Sequence, residues 1–184
     1  MVAVSDGSYF DEFPIGSAEW ILLSEDNSEF IVGSGLCPGN PSQLNAYCSE
    51  LRGLLGISTA MWALEQTLGP KPTSVIVGCD GKTALNQCFN RNPASLNTRG
   101  KQFDLIAAIM GYWKNITASA IPQWVKGHLD YHMRKEDLPR LNHINTRRDH
   151  GAKTIARLGA TSRAYRPFHI KYKFGLASLT LNEN

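Results

Sequence analysis

The apolar positions of the chain fall first in short strand-like runs and then at helical spacing. Val2-Ala3-Val4 is an apolar run that reaches Asp6, and residues 2–9 read as a strand. Residues 16–24 (GSAEWILLS) and 28–36 (SEFIVGSGL) read as two more, and the turn Ser24-Glu25-Asp26-Asn27 predicts a hairpin between them. A Gly- and Pro-punctuated loop follows over 36–43. Leu51, Leu54, Leu55, Ala60, Met61, Leu64 and Leu68 then predict a helix over 44–68 that stops at Gly69-Pro70. Gly53 and Gly56 inside it either weaken the helix or mark close packing on a sheet.

The second half alternates. Residues 73–78 read as a buried strand ended by Asp80, 83–89 as a short helix and 90–100 as a polar loop. A helix over 103–113 and a fifth strand over 118–125 follow, with Pro122 favouring a sheet edge. Residues 127–140 are a charged loop and 141–158 a last helix. The order β-β-β-α-β-α-α-β-α implies an α/β fold: a five-stranded mixed sheet, three antiparallel strands then parallel ones, flanked by helices. One domain is expected over residues 1–160. Residues 161–184 form a basic and aromatic extension, packed on that domain or trailing from it.

Composition adds three points. An apolar content of 42% suits a soluble domain, and no run is long enough to span a membrane. The first strand starts at residue 2, which leaves no signal-peptide pattern and suggests a domain cut from a longer protein, or a compact N-terminus. Cys37, Cys48, Cys79 and Cys88 form no C-x-x-C pair, so reduced thiols in an intracellular protein are expected, not zinc or disulfides. Charge is unevenly spread: residues 1–90 hold 3 Lys/Arg and 10 Asp/Glu, whereas residues 91–184 hold 16 and 6. A basic half beside an acidic half suits a polyanion held near a metal site, although a solvated basic face gives the same count.

Asp6, Glu50, Asp80 and Asp149 stand out. Asp6 and Asp80 end apolar strands, Glu50 lies early on the first helix, and Asp149 lies on the last. The first strand of this order is central, and the strand after a crossover helix lies parallel beside it. Both aspartates then meet at one sheet edge, where ligand sites of open α/β sheets form. Carboxylates that close repel one another; no Lys or Arg adjoins Asp6, and Lys82, two past Asp80, and Arg52, two past Glu50, lie on no obvious pairing face. Divalent cations resolve that conflict, and oxygen ligands select Mg²⁺ or Mn²⁺.

These residues resemble the ribonuclease H family. Asp6-Gly7-Ser8 is similar to its first-strand motif, and Ala46-Tyr47-Cys48-Ser49-Glu50-Leu51 to the helix motif carrying its glutamate. Cys79-Asp80 ends the fourth strand as the family's second aspartate does. Trp124-Val125-Lys126-Gly127-His128 resembles the fifth strand and catalytic-loop histidine, and Asn145-x-x-x-Asp149 the last helix. The wording is closest to a retroelement-type domain, which would be part of a larger polyprotein.

The resemblance implies a monomeric endoribonuclease that hydrolyses the RNA strand of RNA–DNA hybrids with two Mg²⁺ ions, Mn²⁺ substituting. It leaves 3′-hydroxyl and 5′-phosphate ends, and 2′-hydroxyl contacts tell RNA from DNA. By position, Asp6 would bridge both ions, Glu50 and Asp80 would hold the one on the leaving-group side, and Asp149 the one that activates water. His128 would assist proton movement or product release. Ser8 and Lys82, beside metal ligands, are expected to touch substrate phosphate. Lys101, Lys114 and the tail residues Arg163, Arg166, Lys171 and Lys173 could serve duplex binding in place of a basic handle helix, although the tail pattern suits an ordinary amphipathic strand at least as well.

The chain departs from the family in an insertion around Asp130 to Arg140, and in Ala46 and Tyr47, which stand where some members carry asparagines. Proofreading exonucleases of this fold carry Asp-x-Glu on the first strand, where Ser8 stands here. Integrases and transposases lack the first-helix glutamate. A catalytically silent nucleic-acid-binding or scaffold module is the remaining alternative, and such modules usually lose a carboxylate.

Overall fold

Period-two alternation decides how the first strand is buried. In the computed structural model, which describes residues 1–26, 30–69, 73–90, 100 and 102–161, β1 (Val2–Phe10) lies at the centre of a five-stranded sheet. Its neighbours are β2 (Ile15–Leu23) and β4 (Ser74–Cys79), with β3 (Phe30–Leu36) and β5 (Ser119–Trp124) at the edges in the order β3-β2-β1-β4-β5. β1, β2 and β3 pair antiparallel, whereas β4 and β5 run parallel to β1. Pro122 sits on an edge strand, where its missing N–H costs no ladder bond.

Successive side chains point to opposite faces, so each face has its own helical cover. Ala3, Leu22, Val75 and Val77 pack with α1 (Ala46–Leu68), α2 (Lys82–Phe89) and α3 (Phe103–Lys114) in the larger core. Val2, Val4, Ile21 and Leu23 face the other way, against Leu141 and Ile144 of α4 (Arg140–Thr161). Asp6 falls on this second face by register.

The Asn45 side chain accepts from the Cys48 N–H at 2.8 Å and caps α1, which begins two residues later than the apolar pattern implied. Gly53 and Gly56 mark close packing. A Cβ on Gly53 would stand 2.8 Å from Ser5 Cβ, and one on Gly56 would strike the Trp20 indole. α4 presents a narrow face of Asn142, Asn145, Ala152, Ala156 and Gly159 to the sheet. Small residues there let the helix lie close.

Two sequence expectations change here. β1 continues through Phe10, so Asp6 is mid-strand and not near its end. The charged segment before α4 is partly ordered by 3-10 turns at Leu129–Tyr131 and Lys135–Asp137. All four cysteines are free and buried. No helix among the described residues is long and apolar enough to cross a membrane. The tail from residue 162 and Lys101 lie outside the described residues.

Candidate active site

The site forms where β4 stops short of its neighbour. The last registered pair between β1 and β4 is Val4 with Gly78. Two residues further along each chain stand Asp6 and Asp80, one still in β1 and the other just past the end of β4. Glu50 arrives from the α1 layer. Gly7 makes room for it, since a Cβ there would lie 2.5 Å from the Glu50 backbone nitrogen. Asp149 comes from α4 and lines one cleft with Asp6, Asp80, Lys126, His128, Asp130, Asn142, Asn145 and Thr146.

Electrostatics report the convergence. The Asp6 carboxyl is only 3% exposed, and its pKa is pushed well above the usual range, first by burial and then by the charges of Glu50, Asp80 and Asp149. Lys153 offsets part of this. Burial, followed by the charge of Asp80, likewise pushes Glu50 well up. The Glu50 and Asp80 carboxyls share a hydrogen bond that links their shifts. Asp80 is still raised overall, burial being the largest cause.

This donor set fits a hard divalent cation. Ligand atoms of Glu50, Cys79 and Asp80 all lie within 4.8 Å of one another. Asp80 Oδ1 is buried without a hydrogen-bond partner, an arrangement that is costly unless a cation meets it. Cys79 is not a ligand of the thiolate kind. Burial and the Glu50 charge push its thiol well up, and Sγ–H donates to Glu50 Oε2 at 3.2 Å.

His128 occupies the left-handed corner that opens the Leu129–Tyr131 turn, with φ 57°. Its ring stacks on Tyr131, centroids 5.3 Å apart with a 2° interplanar angle. Its charge lowers Asp80, which it faces across the cleft. Gly127 allows the loop to cross so near, because a Cβ there would stand 2.8 Å from Asp80 Oδ2.

Ser8 and Lys82 do not join this cleft. Ser8 is 6% exposed, buried opposite Ser17 in the longer β1. Lys82 Nζ lies 5.4 Å from the Trp124 ring centroid. The expectation that no cation attends the carboxylates also fails. Lys153 Nζ stands 2.7 Å from Asp149 Oδ2, one helical turn away on α4. Spacing of i and i+4 could have revealed it. Asn145, Lys126 and Asp130 were not picked out as site residues either, because cleft lining depends on the path of the loop.

With this geometry in hand, the comparisons are specific about architecture. The N-terminal RNase H domain of Rv2228c from Mycobacterium tuberculosis, solved as a fusion with maltose-binding protein, superposes with a TM-score of 0.58 at 18% identity, over 89% of this chain and 99% of that one. The chain has the ribonuclease H fold. LC11-RNase H1, isolated from compost and solved in complex with an RNA/DNA hybrid, superposes on this chain with a TM-score of 0.63 at 10% identity, over 87% of this chain and 99% of that one. RNase H1 from the halophilic archaeon Halobacterium salinarum gives 0.54 at 15% identity, over 84% and 95%. No family model matches the sequence. No curated protein sequence matches it. At these identities the ribonuclease H fold is what the likeness establishes.

Proposed function

We propose that this chain is a divalent-metal-dependent endoribonuclease that hydrolyses the RNA strand of RNA–DNA hybrids, leaving 3′-hydroxyl and 5′-phosphate ends. The observation that carries this reading is the convergence of four carboxylates, mutually repelling and with one buried oxygen unpartnered. A neighbour of the same fold is solved with an RNA/DNA hybrid, which supports that substrate class. The wording of the motifs supports a retroelement-type setting within a larger polyprotein.

Asp6, Glu50, Asp80 and Asp149 would hold divalent cations, with Mg²⁺ the natural choice and Mn²⁺ a substitute. When bound, such a pair supplies an activated water and charge stabilisation at the leaving oxygen. Asn145 fixes the Asp6 carboxylate, with Nδ2 donating to Oδ2 at 2.7 Å. His128, held by Tyr131 at the mouth of the cleft, is placed to carry a proton to or from the reacting phosphate group.

One observation favours a second reading, a silent binding module. The Lys153–Asp149 pair already places a cation where a metal would sit. The two readings separate when purified protein meets a hybrid, a double-stranded RNA and a duplex DNA in Mg²⁺. Cleavage confined to the RNA of the hybrid supports the nuclease. Binding of the hybrid without cleavage supports the module, and equal cleavage of both strands contradicts hybrid specificity.

A further inference from the structure

Another carboxylate stands beside the cluster without joining it. Glu19 lies directly across from Asp6 in the β1–β2 register, and opposed residues of an antiparallel pair share a face. Its carboxylate turns to α4 instead, where Oε1 meets Arg148 Nη1 at 2.5 Å. The side chains are 12% and 14% exposed, so the pair is largely withdrawn from water.

Two more contacts converge on the same helical turn. Gly151 lies against Glu19, because a Cβ there would collide with its carboxylate. The Ser17 hydroxyl, also on β2, donates to the Ala152 carbonyl at 2.6 Å. Arg148, Gly151 and Ala152 thus bracket Asp149 with contacts to one strand. A single contact would leave a helix free to roll about it. Contacts at both ends of a turn, with a close backbone approach between them, fix rotation and height together. Each residue of slip would swing Asp149 by about 100° around the helix axis. Buried ion pairs yield little net stability against their desolvation cost, and fixing a register is their best-attested use.

We propose that Glu19 is a positioning residue: with Arg148, Gly151 and Ser17 it locks α4 on β2 so that Asp149 faces Asp6. The inference rests on the reading of Asp6 and Asp149 as metal ligands. Glu19 touches neither substrate nor ion and acts through the helix.

The test measures Mn²⁺ binding to metal-free protein by calorimetry, and hybrid cleavage as a function of Mg²⁺, in wild type, Glu19→Gln, Arg148→Met, Arg148→Lys and Gly151→Ala. Loss of an outer contact of this kind weakens metal binding by about tenfold or more. Glu19→Gln and Arg148→Met should show that loss, with the Mg²⁺ requirement rising in step and the hybrid KM unchanged. Arg148→Lys should recover part of it. Gly151→Ala reaches the same contact from the helix side, and keeps the test open if Glu19→Gln does not fold. Folded variants that melt earlier yet bind Mn²⁺ as wild type does would make the pair purely structural and overturn the proposal. Weakened Mn²⁺ binding in a protein that cuts no hybrid would uphold the positioning role while removing the nuclease reading. Absence of Mn²⁺ binding in wild type would overturn both.

Discussion

Asn145 Nδ2 donates to Asp6 Oδ2 at 2.7 Å, joining the last helix to the first strand across 139 positions of sequence. Both residues are buried, 4% and 3% exposed, so the contact has no competing water. It fixes the Asp6 carboxylate in the cleft it lines. A hydrogen bond to a charged group is worth roughly 1.5–3 kcal/mol. Asn145→Ala is therefore expected to lose about 2 kcal/mol in urea unfolding. It should also weaken Mn²⁺ binding, since Asp6 gains rotational freedom.

The raised carboxyls of Asp6, Glu50 and Asp80 make stability depend on pH in a definite sense. A group whose pKa is higher in the folded state binds its proton more tightly there than in the unfolded chain. Its stabilising contribution is full below the unfolded carboxylate range, near 4, and is lost as pH rises through the folded values. The metal-free protein should therefore lose melting temperature as pH climbs out of the acid range, with the contribution of these groups opposing the usual rise. Mg²⁺ should restore it, and by more at higher pH, because binding requires the ionised forms. Thermal melts with chelator and with Mg²⁺ across pH check this. An Mg²⁺ increment independent of pH would contradict it.

On the reading of Asp149 as a metal ligand, Lys153, paired with it at 2.7 Å, would compete with the ion, and its positive charge lowers the pKa of Asp6. Lys153→Met removes that competitor. The expected outcome is severalfold tighter Mn²⁺ binding and a lower Mg²⁺ requirement for cleavage. A higher metal requirement would mean that Lys153 serves to orient Asp149 and not to rival the ion.

On the proposed mechanism His128 would contribute through proton movement and not through holding the site together. His128→Ala should lower kcat by about 10²-fold and leave hybrid KM and Mn²⁺ affinity near wild type. Single-turnover kinetics separate this from slowed product release. Tyr131→Ala should give a smaller loss in the same direction, since only the stacking partner goes.

Strand and helix order was legible because each face of each element carries a clear period. Val2 and Val4 alternate with Ala3, and α1 shows its apolar stripe and its Gly69 stop. The four carboxylates were legible because ionised groups beside apolar runs are rare without a partner. Their neighbours were not. Glu19 reads in sequence as an ordinary polar position on a half-exposed strand, and only the β1–β2 register sets it across from Asp6. Lys153 was within reach at helical spacing. Ser8 and Lys82 were picked by their nearness in sequence to Asp6 and Asp80; Ser8 lies buried within β1, and Lys82 Nζ lies 5.4 Å from the Trp124 ring centroid.

On the proposed reading these carboxylates hold the ions that cleave RNA. The most direct measurement of this follows end-labelled RNA in an RNA–DNA hybrid, with wild type and Asp80→Asn, in Mg²⁺ and in excess chelator. Wild type should cleave in Mg²⁺ only, giving products with 5′-phosphate ends, and Asp80→Asn should bind the hybrid without turnover. Turnover by Asp80→Asn, or cleavage that persists in chelator, would contradict it.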